Sequence, residues 1–122
     1  MQMLARNPAA AYRRVELDAR IEASGSGDLT RICLEEAVSA LGMALVAPDR
    51  GSPVPREPLV RAQSIMLWLA RSVAPGHPLR ASLTAFYGGL AAQIRANILQ
   101  PDVGMISAIR RDISDILAAA AG

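Results

Sequence analysis

The stretch PLRASLTAFYGGLAAQIRANILQ, bounded by Pro78 and Pro101, constrains this chain more than any other. Leu79, Leu83, Phe86, Leu90, Ile94 and Ile98 recur at steps of three and four, with Tyr87 beside them. That spacing puts one broad apolar stripe on a helix about six turns long. Pro78 suits a first turn, where its missing N–H would be unpaired anyway. Pro101 disfavours helical geometry at Gln100 and closes the run. A helix this long and this apolar needs other helices packed around it.

The rest of the chain supplies them. DLTRICLEEAVSALGMALV (28–46) carries Leu29, Ile32, Cys33, Ala37, Ala40, Leu41 and Leu45 on one stripe, widened to one side by Leu34 and Val38. Residues 57–73 point Leu59, Ala62, Ile65, Met66, Leu69 and Val73 inward and leave Leu67 and Trp68 off the stripe. Residues 102–118 line Val103, Ile106, Ile109, Ile113, Ile116 and Leu117 along one face. PDRGSPVPREP (48–58) reads as a stiff loop, and PGHP (75–78) as a tight turn. Residues 9–24 form at most a short, weak helix held by docking, with Tyr12 as its anchor. The expectation is an all-α single domain over 1–122. It is an antiparallel up-down four-helix bundle (28–118) with an N-terminal covering segment (1–24).

Composition fits that architecture. Apolar residues make up 52% of the chain and aromatics only 3%, so the core must be aliphatic. All 13 basic residues are Arg, and the net charge of +2 looks too small and too evenly spread for a nucleic-acid protein. No apolar run reaches the length of a membrane span or a signal-peptide core, so a cytoplasmic protein without membrane insertion is expected.

Catalytic chemistry is hard to find in this sequence. His77, the one histidine, sits in the PGHP turn, where a surface or capping role is expected. Cys33 lies on the inward stripe and reads as a buried, inert thiol. Glu35 and Glu36 are adjacent on a helix and diverge. GSG (25–27) reads as a helix start with Ser26 as cap. Neither a phosphate loop nor a metal-ligand spacing occurs. The expectation is a non-enzyme with no cofactor and no metal.

Gly88-Gly89, inside the organising helix, cost about 1 kcal/mol each relative to Ala. They imply close helix packing or else a flat spot for a partner's backbone. Leu34, Val38, Leu67 and Trp68 add apolar surface beyond the core stripes, which suggests grooves for a partner.

NPAAAY, GSGDL opening a helix, VRAQSIM, and RANI near the end of a long helix resemble, in that order, the FliS family of flagellar export chaperones. The resemblance runs over residues 7–117. Tyr12 stands where the family has its N-terminal Tyr. ASGSGDL (23–29) stands at the start of the family's first long helix. RAQSIM (61–66) matches a K-A-x-x-I-I pattern, Ala96-Asn97 match an A-N pair, and Phe86 falls on the first Tyr of a Y-D-Y pattern. Leu34 occupies an aromatic position, Glu36 replaces a Gly, and Gly88 replaces the second Tyr.

The resemblance implies a cytosolic helical bundle that binds the disordered C-terminal segment of flagellin and keeps it unpolymerised. It also implies delivery to the type III export apparatus, and a Tyr-bearing N-terminal segment that covers part of the site. Together the two readings nominate Tyr12, Leu34, Val38, Leu67, Phe86 and Asn97 as flagellin-binding residues on a monomer or weak homodimer. Alternatives are a helical adaptor for a different flagellar or secretion protein, an enzyme of unseen mechanism, or a purely structural bundle.

Overall fold

The computed structural model describes residues 26–121. Expectations that fall on 1–25, including Tyr12, the weak helix at 9–24 and the covering segment, lie outside the described residues. Every regular element described is helical: α1 (Ser26–Ala44), α2 (Arg56–Ser72), α3 (Arg80–Leu99) and α4 (Val103–Ala121), with a single helical turn at Val46–Asp49. The chain divides after Ile32 into two units, the division falling within α1. The first unit's described residues are the opening turns of α1, where Arg31 and Asp28 pair at 3.6 Å. The architecture below is that of the second unit, Cys33–Gly122.

Prolines and one glycine set the boundaries. Pro55 precedes α2 with an extended ψ of 140°, and Pro58 falls in the first turn, where no helical N–H is needed. Gln100, forced out of helical space by Pro101, adopts φ −145° and ψ 90° and ends α3. α1 does not run on to 46 as the apolar spacing suggests. It stops at Ala44, and Val46–Asp49 makes one separate turn. That turn ends on Gly51 at φ +81°, with Ser52 N–H donating to Ala47 O and Gly51 N–H to Pro48 O, both at 2.9 Å. This paired closure needs a left-handed residue, which glycine supplies without strain. Part of the expected loop at 48–58 is thus helical. Ser26, expected as a cap, is the first residue of α1.

The core is aliphatic, as the scarcity of aromatics requires. Leu41 of α1, Leu59 and Met66 of α2, Ile94 of α3, and Ile106, Ile109 and Ile113 of α4 are fully buried. Each contributes about 1.5–3 kcal/mol relative to exposure. Leu34, expected at the margin of its stripe, is buried at 3% exposure. The α3 stripe is rotated from its expected position. Tyr87, Leu90, Ala91, Ile94 and Asn97 are buried, whereas Leu83 and Phe86 are only half-buried. Leu79 is 58% exposed because α3 begins one residue later and leaves it in the turn. Val103, expected inward, is 42% exposed at the start of α4.

Polar side chains tie α1 to two other helices. Arg61 of α2 donates through Nε to Glu36 Oε2 of α1 at 2.8 Å, and Nη2 lies 2.8 Å from the same oxygen. Arg110 of α4 donates through Nε to the Val38 carbonyl at 3.1 Å. α2 packs on α3, and α3 on α4. The result is a bundle-like all-helical fold.

Candidate partner-binding surface

The residues nominated from sequence do not share one environment. Leu67 is 39% exposed on α2, with Trp68 beside it at 39% and Val60 two turns earlier at 37%. Val38 is half-buried on α1, and its carbonyl takes the Arg110 hydrogen bond. Phe86 is half-buried on α3, its ring tilted 59° against that of Tyr87 with centroids 5.7 Å apart. Leu34 and Asn97 are buried, at 3% and 1%. Neither therefore offers its side chain as free surface.

Asn97 has a structural task instead. Its Nδ2 donates to Gln93 O at 2.9 Å, one turn back in α3. Its Oδ1 accepts the Asp102 backbone N–H at 2.9 Å. Asp102 Oδ1 in turn accepts the Met105 N–H at 3.0 Å and caps α4. A single amide thus clamps the corner between α3 and α4. The same corner shows Leu99, Val103 and Met105 to solvent.

Gly88 and Gly89 answer a question the sequence left open. A Cβ built on either meets nothing within 4 Å, so neither is required by close packing. Gly42 is the contrasting case, since its Cβ would come within 3.1 Å of Arg110 Nε. The exposed side of α3 is smooth, passing through Ala81, Ala85, Gly89, Ala92 and Ala96. An open cleft of about 520 Å³ lies at its N-terminal end, lined by Pro75, Arg80, Ala81, Thr84 and Ala85. Another of about 310 Å³, lined by Ala96, Asn97, Gln100, Pro101, Asp102 and Met105, lies at the opposite end.

The titratable groups behave as structural ones. Burial, and then the negative charge of Glu36, push the Cys33 thiol above its ordinary range. Burial raises Tyr87 as well, and the nearby Cys33 adds to it. A thiol kept protonated in this way is a poor nucleophile. His77 is exposed, and its Nδ1 accepts the Leu79 N–H at 2.9 Å, which shapes the turn before α3. Glu36, which sequence spacing had left divergent from Glu35, is the carboxylate paired with Arg61. Among the described residues, no group of three or more His, Cys, Asp and Glu is placed to hold a metal ion. No helix among them is long and apolar enough to cross a membrane.

One electrostatic feature was readable in the sequence but hidden by the small net charge. No Asp or Glu occurs between Glu57 and Asp102, a span that contains Arg61, Arg71, Arg80 and Arg95. Among the described residues, Arg61 is the one of these that is paired, with Glu36. The described acids lie on α1, on α4, in the segment before α2, at the first turn of α2, or, as Asp102, in the connection from α3 to α4. Charge is therefore segregated by helix rather than evenly spread.

No protein-family model matches the chain, and none of the curated proteins compared with it gives a significant match.

Proposed function

We propose that this chain is a cytosolic flagellar export chaperone, which binds the disordered C-terminal segment of flagellin, prevents its premature polymerisation and assists type III secretion. The observation that carries the reading is the exposed apolar set on α2. Val60, Leu67 and Trp68 are each more than a third exposed although the core beneath is filled by Leu59, Ala62, Met66 and Leu69. Apolar side chains that the core does not use suit a partner that folds as it docks. Such a segment loses a few kcal/mol or more in ordering and recovers it by burying about 1,000–3,000 Å². The ordered set of sequence resemblances from NPAAAY to RANI supplies the identity of the partner.

In this reading the helices run up and down in antiparallel order. Short connections such as Gln100–Asp102 between α3 and α4 favour antiparallel neighbours. The protein is a monomer or weak homodimer that engages the export apparatus after loading. Leu67, Val38 and Phe86 contact the segment directly, whereas the buried Leu34 and Asn97 support the surface from below. The test is co-purification and titration calorimetry with the C-terminal segment of flagellin from the same organism. Stoichiometric binding that weakens about 30-fold or more in a Leu67→Glu variant of unchanged helicity is the expected result. The absence of both heat and co-elution with the wild type refutes the reading.

A further inference from the structure

The α2–α3 pair combines three properties that are independent of one another. The first is charge. Arg71, Arg80 and Arg95 are exposed, make no ion pair among the described residues, and stand on a span without a single acidic side chain. The second is exposed apolar surface, in Leu67 and Trp68 on α2 and Leu79 in the turn between the helices. The third is relief. On the outer face of α3, Ala85, Gly89 and Ala92 are small and exposed, and even a Cβ added at Gly88 or Gly89 would stand in open space.

We infer that the outer surface of the α2–α3 pair docks a helical polypeptide segment whose apolar face is flanked by Asp or Glu, the acids answering Arg71, Arg80 and Arg95. Arg80 and Arg95 are separated by about 22 Å of helix, which a docked helix of about 15 residues spans. Carboxylates near its two ends meet the two guanidinium groups, and its middle lies against the glycines. Guanidinium groups on a surface rim chiefly govern the rate of encounter and its sensitivity to salt.

Symmetric pairing of α3 on the α3 of a second copy is a poor arrangement, because α3 has no acid to offer. Pairing α3 on α3 in antiparallel fashion about Gly88 brings Arg80 of each copy beside Arg95 of the other. A nucleic acid calls for a denser row of cations, since each phosphate contact is one Lys or Arg. Here small apolar residues occupy most of the length between the two arginines.

This inference concerns the chemistry of the partner and stands or falls apart from the flagellin reading. Calorimetric titration of the full chain uses three 20-residue peptides of Leu and Ala on one repeat, differing only in carrying Glu, Gln or Lys at the polar positions. The Glu peptide is expected to bind, the Gln peptide at least tenfold more weakly, and the Lys peptide not at all. Raising the salt from 20 to 300 mM should weaken the Glu peptide several-fold. The triple variant R71Q/R80Q/R95Q and the single variant Gly89→Leu should each lose tenfold or more while keeping the wild-type circular dichroism spectrum. Failure of the Glu peptide to bind at 1 mM overturns the inference, as does equal binding of the Glu and Lys peptides. So does a triple variant that binds as the wild type does. Tighter binding to a 20-base-pair duplex or to phosphatidylserine vesicles than to the Glu peptide overturns it in favour of those partners. Dimerisation lost in the same variants, without peptide binding, overturns it in favour of self-association.

Discussion

Replacing Asn97 tests whether the α3–α4 corner is held by one buried amide. In Asn97→Ala two neutral hydrogen bonds disappear, each contributing about 1 kcal/mol net. The Asp102 N–H loses its acceptor, but Asp102 is exposed and water can take its place. The penalty for an unsatisfied donor is therefore discounted, and the expected loss is about 2 kcal/mol. For a chain of this size that lowers Tm by about 8 °C. Asn97→Asp makes a sharper case. Its carboxylate still accepts from Asp102, but it can no longer donate to Gln93 O and it sets a buried anion against that carbonyl. Burial disfavours the charged form, so the folded carboxyl pKa is raised above its ordinary value of about 3.9.

The sign follows directly. A raised folded pKa leaves stability fully present below the unfolded value. It is then lost, at about 1.4 kcal/mol per pH unit, as pH rises from the unfolded toward the folded pKa. Urea denaturation at pH 4 and pH 7 should show the Asp variant much closer to wild type at pH 4. The reasoning is refuted if Asn97→Ala costs under 0.5 kcal/mol, roughly half of one neutral hydrogen bond. It is equally refuted if the Asp variant's deficit relative to wild type is the same at both pH values. A loss of partner binding in Asn97→Ala that tracks the loss of stability assigns this residue to the scaffold rather than to the contact surface.

Gly88→Ala and Gly89→Ala should each raise stability by about 0.5–1 kcal/mol in urea denaturation, because helix propensity improves and the new methyl meets nothing. Gly42→Ala should gain less than either, since its Cβ must displace the Arg110 guanidinium at 3.1 Å. Glu36→Gln should cost about 2 kcal/mol by leaving the part-buried Arg61 without its counter-charge, and simultaneous Glu36→Met and Arg61→Met should recover much of that. Because Cys33 and Tyr87 are both raised, they stabilise the fold fully below their unfolded pKa values. That contribution is lost as pH climbs past about 9, so Cys33→Ala should flatten the alkaline decline seen by denaturation.

The helices were legible because prolines and a 3.6-residue apolar period act locally. α2 and α3 begin and end within one or two residues of the positions that Pro55, Pro75, Pro78 and Pro101 dictate. The rotation of the α3 stripe was not legible. Apolarity alone favoured Phe86 and Leu83, but what decides the buried face is which side meets α2 and α4. Tyr87 and a polar residue, Asn97, satisfy that geometry better. Asn97 was nominated through the family resemblance alone, and only the return of the chain at Asp102 shows that its oxygen has a partner five residues on. Leu34 was ambiguous, since a residue at the edge of a stripe becomes core or surface according to its neighbours.

Charge segregation is present in the sequence, but net charge conceals it for a physical reason. Net charge sums over the chain, whereas a docking partner feels only the charges within about a Debye length, roughly 10 Å. Eleven acids against thirteen arginines nearly cancel. On the second unit, however, Glu36 and Arg61 neutralise each other between α1 and α2, and α4 carries Arg110 and Arg111 together with Asp112 and Asp115. Arg71, Arg80 and Arg95 lie in the acid-free span 58–101, on a pair of helices whose surface and connecting turn also bear Leu67, Trp68 and Leu79. A surface that stays both cationic and apolar after the internal pairs are removed discriminates by charge and holds by apolar contact. The exposed apolar side chains alone would accept many segments, and the arginines narrow that choice to acidic ones.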